Sequence, residues 1–164
     1  MAAFTFKGLE EYELKLAKLE RSTEKIIGKA VYAGAGIVAD AVRKNISSLP
    51  IVPPKNSFGT TTAPISGVTA AQKAGLLDGG FGVSRMQLDN GYYHVKLGFD
   101  GYNRTKTKKY PSGQPNILIA RSVENGTSFR SKQPFVSPAV RSSRKAAEQK
   151  MKEILDEEIN RLEK

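Results

Sequence analysis

Cysteine is absent from the 164 residues, and with it go disulfides, thiolate nucleophiles and every zinc site built on sulfur. Histidine occurs once, at His94, so a nucleophile paired with a histidine base would have to be assembled around a single ring. Tryptophan is missing and aromatic residues make up only 8%, which leaves the core to aliphatic side chains. No apolar run approaches the ~20 residues that span a bilayer, and the N-terminal MAAFTFKGLEEYELK turns charged too soon for a secretory signal. These shortages predict a soluble, cytoplasmic, non-enzymatic protein with no membrane partner and no cofactor.

What is present bounds the fold. A chain of 164 residues fits one domain over 1–164, and 39% hydrophobic with 26% charged residues is the balance of a folded protein. The net charge of +10 is regional: residues 101–145 hold ten basic side chains against Glu124 alone, a local net of +9. Within that stretch Arg104, Lys106, Lys108, Lys109, Arg130 and Lys132 are candidate contacts to DNA or to another partner. A solvated surface would carry the same composition.

Two long helices stand out. Leu9, Tyr12, Leu16, Leu19, Thr23, Ile26 and Ala30 recur at three-four spacing on one helical face, and the pattern continues towards Ser47 as one bent helix or two consecutive ones. Gly34 and Gly36 each lower helicity by roughly 1 kcal/mol, so close approach of another backbone is the expected compensation. The last helix begins near Ser137-Pro138, with Val140, Ala147, Met151, Ile154, Leu155, Ile159 and Leu162 as its apolar stripe. Between them, 80–99 reads as a β-hairpin around Asp89-Asn90-Gly91, and 117–124 as a short helix stopped by Asn125-Gly126. Residues 50–69, with four prolines, and 101–115 read as mobile loops. The fold expected is α+β, long N- and C-terminal helices packed on a small antiparallel sheet that contains the hairpin.

Chemistry is thinly represented. His94 lies in a strand without companions, and Asp78, Asp89 and Asp100 are better explained as turn residues than as a hydrolytic or metal-binding group. The glycine clusters at 34–36 and 79–82 lack the lysine of a phosphate loop and the spacing of a dinucleotide fingerprint.

Three stretches in order carry more information: a helical N-terminal half, then GLLDGGFGVSRM, then IARSVENGTSFRSKQPFVSPAV. In this order the chain resembles the neck and tail-component family of long-tailed phages, typified by the tenth structural gene product of the lambdoid phage Hong Kong 97 and related to gpZ-like tail-completion proteins. The resemblance rests on Gly75-Leu76 before the first strand, on Glu124-x-Gly126-Thr127, and on Gln133-Pro134-Phe135 leading to Pro138. It covers nearly the whole chain, although 50–69 is longer than its family equivalent and 104–109 belongs to no motif. The resemblance implies a virion protein at the head-tail junction, assembled in the host bacterial cytoplasm as a ring of identical subunits between connector and tail proteins, with DNA passing through it. The motif residues themselves read as structural: Gly126 ends a helix, Thr127 bonds a freed backbone group, and Phe135 enters the core. A small basic DNA-binding module is the rival from another class, although no known reader motif is present.

Overall fold

The computed structural model describes residues 9–53 and 62–162, with side chains from Ser22 onward. The residues before Leu9, the side chains of Leu9, Tyr12, Leu16 and Leu19, and the centre of the 50–69 loop lie outside the described residues. The elements are α1 (Leu9–Ser47), α2 (Ala70–Leu77), β1 (Phe81–Val83), β2 (Gln87–Asp89), β3 (Tyr92–His94), β4 (Leu97–Phe99), α3 (Asn116–Asn125) and α4 (Val136–Leu162). The class is α+β.

Of the two arrangements open to the N-terminal half, a single helix forms: α1 runs 39 residues, about 58 Å at the α-helical rise. It lies antiparallel to α4, pinned by Lys29 Nζ to Glu158 at 2.8 Å and by Asn45 Nδ2 donating to Phe135 O at 2.9 Å. Between these two ties the helices approach so closely that a Cβ on Gly34 would stand 2.6 Å from Met151 Cγ. Close packing therefore accounts for Gly34. It does not account for Gly36, where a Cβ would meet open space. The seam on α4 is correspondingly small, made by Ala139, Ser143 and Ala147. The larger aliphatics of the expected stripe flank that seam: Met151, Ile154 and Leu155 are half-buried, while Val140, Ile159 and Leu162 are exposed.

The last turn of α1 is closed by α2, whose Lys73 Nζ donates to the carbonyls of Ser47 (2.6 Å) and Leu49 (2.9 Å). The helix α2 starts with a capping box: Thr69 Oγ1 accepts from Gln72 N and Gln72 Oε1 accepts from Thr69 N. The hairpin turns at Asn90 (φ 49°) and Gly91 (φ 81°), which pairs Asp89 with Tyr92 and Gln87 with His94. Outside it β1 pairs with β4, so the strands form two separate two-stranded antiparallel sheets. At the break Met86 N donates to Tyr32 Oη at 2.8 Å, fastening the hairpin to α1.

The core lies between α1, α3, the start of α4 and the β1–β4 sheet. Phe81 and Phe99 are register partners with ring centroids 4.9 Å apart, and Phe99 meets Phe135 edge-on at 5.8 Å. Val42, Ile46, Leu76 and Val123 fill the space around these rings, each almost wholly excluded from solvent. The long helices thus pack on each other, and the sheet joins them through its phenylalanines rather than underlying them as a layer.

Candidate functional site

The motif residues at 124–138 converge on the passage from α3 to α4. Four amides at the start of any helix lack intrahelical partners and carry the positive end of its dipole. Glu124 answers them: its carboxylate accepts from the N–H groups of Phe135 (2.7 Å), Val136 (2.9 Å) and Ser137 (3.0 Å) and from the Ser137 hydroxyl. Burial raises this carboxyl's pKa, but the Ser137 hydroxyl and the three amides outweigh burial and leave it below the ordinary carboxylate value.

Gly126 follows α3 at φ 75°, and a Cβ there would meet Lys132 N at 3.1 Å, so the chain turns back on itself at this point. The carbonyl freed near the end of α3 is Val123 O, and it is Gln133 N that bonds it, at 2.8 Å. Thr127 Oγ1 accepts from the backbone N–H of Phe129 at 3.2 Å within the 127–130 turn. Gln133 Nε2 reaches across to Ser66 Oγ at 2.9 Å. Pro134 is exposed, Phe135 is buried, and Pro138 occupies the first turn of α4, where its missing N–H is harmless. Gly75 and Leu76 sit inside α2: Leu76 is fully buried, and Gly75 lets α2 lie against Asn103, whose Cβ would be 2.4 Å from a Cβ at Gly75.

The basic segment 101–115 has no regular element, yet its base is tied. Asn103 N donates to Gln114 O, Gln114 N to Thr105 O, and Gln72 Nε2 of α2 to Gln114 Oε1, all at 2.9 Å. Asn103 itself is buried. On this base Arg104, Lys106, Lys108 and Lys109 are exposed, and none of them takes part in an ion pair among the described residues. The Lys109 ammonium stands 5.5 Å from the Tyr110 ring centroid, a cation–π approach. Lys132 is exposed as well, beside Gly126.

Arg130 requires a correction. Its basic neighbourhood predicts a partner-binding cation, but it is buried, with its guanidinium donating to Gly67 O and, at 3.3 Å, to Gln72 Oε1. Burial pulls its pKa below the ordinary arginine value. The flanking backbone bonds Ile65 N to Phe129 O and Ser131 N to Ile65 O, so Arg130 fastens the base of the 50–69 loop to the 127–131 turn. A side chain held in this way cannot present its charge to DNA.

The residues considered for chemistry remain apart in role. His94 is half-buried in β3 opposite Gln87, Asp78 caps α2, Asp89 ends β2, and Asp100 accepts from Gly101 N at 2.7 Å. Among the described residues no group of three or more His, Asp or Glu side chains could hold a metal ion, and no helix is long and apolar enough to cross a membrane. No protein-family model matches the chain, and no curated protein or solved structure is significantly similar to it.

Proposed function

We propose that the chain is a structural subunit of a tailed bacteriophage or prophage, acting at the head-tail junction as a neck or tail-completion protein and working by assembly into a ring. The supporting observation is the α3–α4 passage, where the residues that carry the resemblance to that family act as one device: Glu124 caps α4, Gly126 turns the chain, Gln133 bonds α3 and Phe135 fills the core. Residues shared for architecture suit a protein that works through its shape and contacts. In such a ring each subunit presents one surface to the neighbour on its left and another to the neighbour on its right, because only heterologous contacts close by rotation. Connector and tail proteins lie above and below, and the exposed cations at 104–109 attract passing DNA through its phosphates without reading sequence. Mass measurement of the purified protein combined with electron microscopy tests the reading. Rings are expected; a single chain at every concentration would count against it.

A second reading, a small basic DNA-binding module, draws on the same four exposed cations. It predicts tight binding of duplex DNA by the single chain, with affinity falling steeply as salt rises. The neck reading predicts weak or no binding by the single chain.

A further inference from the structure

We propose that copies of this chain join head to tail by laying the C-terminal ridge of α4 against the outer face of α3 in the next copy. The inference rests on the ring reading and names the surfaces that would build it. The helix α3 buries Ile119, Ala120 and Val123, yet on its other side Ile117 and Leu118 remain 42% and 40% exposed. Arg121 stands between them on that face, one turn further on, exposed and in no ion pair among the described residues. Tyr102, 67% exposed, bridges to Pro115 just before the helix and widens the apolar area.

The matching surface is at the far end of α4. Ile159 and Leu162 are 43% and 36% exposed and, three residues apart, share a side of the helix. Asp156, one turn before Ile159, is exposed and unpaired among the described residues, whereas Glu148, Glu153 and Glu158 each hold a cation. Each surface therefore offers two exposed apolar residues beside a charge in no ion pair among the described residues, Arg121 on α3 and Asp156 on α4, with the exposed Lys152 one turn before Asp156. The order along the helices sets the orientation: α3 reads apolar then Arg121, while α4 reads Asp156 then apolar, so an antiparallel crossing matches both at once. The spacing from charge to apolar residue is about one turn on each helix, roughly 5 Å of rise. Since the two surfaces lie on different parts of the chain, the contact is heterologous, the type a ring requires.

Sedimentation or light scattering on four proteins tests this: the wild type, Leu118→Glu, Ile159→Glu, and an equimolar mixture of the two variants. Both substitutions fall on exposed positions, and circular dichroism checks that each variant remains folded. Each variant alone should associate at least about a hundredfold more weakly, as expected when a lone charge enters an apolar contact, and should run as a single chain. The mixture keeps one intact pairing, Leu118 of one copy with Ile159 of the other, and should stop at two chains. If the wild type assembles and both variants assemble equally well, another surface closes the ring: this interface is overturned while the ring reading stands. If both variants are single chains and the mixture gives no two-chain species, the head-to-tail assignment is overturned. A wild type that is a single chain throughout overturns the ring reading and this inference with it.

Discussion

The α3–α4 passage and the 101–115 segment are both irregular stretches beside a helix end, and they are built in opposite senses. In the first, side chains serve the interior: the Glu124 carboxylate is occupied by three backbone amides and a hydroxyl, and Phe135 lies among Phe99 and the core aliphatics. In the second, backbone and amide groups bond one another while Arg104, Lys106, Lys108 and Lys109 face water. The first is organised for folding and the second is free to act on something else. Substitutions should separate the two, with large stability losses at the passage and small ones in the loop.

The largest effect is expected at Phe135. Truncating a buried phenylalanine removes its contacts and leaves a cavity, so Phe135→Ala should lower unfolding stability by about 3–5 kcal/mol, a large part of the ~5–15 kcal/mol that holds a domain together. Chemical denaturation would measure it. A loss under ~1 kcal/mol would mean that the aromatic row at Phe81, Phe99 and Phe135 is not the centre of the core. Arg130→Ala comes next. It strands Gly67 O and weakens the hold on Gln72, and leaving buried acceptors unmet costs about 1–3 kcal/mol. If Arg130 were instead a surface cation, the same change would be nearly silent.

Glu124→Gln is expected to lose about 1 kcal/mol near neutral pH, because the amide offers one acceptor oxygen where the carboxylate offers two and carries no charge against the helix dipole. The sign of its pH dependence follows from the lowered pKa. A carboxylate held below its unfolded value contributes stability that is present above the ordinary carboxylate range and is lost as pH falls through the folded value. The gap between wild type and variant should therefore be full at about pH 7 and shrink as pH falls below the ordinary carboxylate range. A gap that widened in acid would refute the capping role.

Much of the architecture was legible because long elements repeat their signal. Ile26 and Ala30 lie buried on the predicted stripe of α1, the turn at Asn90-Gly91 holds the positive φ angles its residues favour, and Asn125-Gly126 ends α3. Short or tertiary features were not. The helix α2 spans only eight residues and contains a glycine, and its one local sign, Thr69 three residues before Gln72, is a short pattern lost in a stretch rich in proline and hydroxyl residues. Two sheets of three-residue strands cannot be told from one sheet by alternation. Arg130 misled because charge in a basic stretch predicts exposure, and nothing within a few residues announces that Gly67 and Gln72 will meet it from more than fifty positions away. Of the candidate site, the motif residues were found and their bonding was not, since Glu124 and the amides it caps are joined only by the fold.

The smallest effect on stability, and the one most informative about function, belongs to the loop. Reversing Lys106, Lys108 and Lys109 to Glu changes only exposed charges, and such substitutions usually shift stability by less than ~0.5 kcal/mol each. The base is held by Asn103, Gln114 and Gln72 and is untouched by the change, so the variant should melt close to the wild type. Limited digestion with trypsin should cut the wild type between Arg104 and Lys109 before it cuts α1 between Ile26 and Val42, which would show that the tip is open while the helix is closed. If the cations serve DNA passage or contact with a neighbouring virion protein, particles built with the triple variant should form poorly or lose infectivity despite the intact fold. Early melting of the variant would place the loop in the core and erase the contrast with the α3–α4 passage. Normal infectious particles would leave Lys106, Lys108 and Lys109 with no task beyond solubility, and the neck reading would then rest on the fold and on assembly alone.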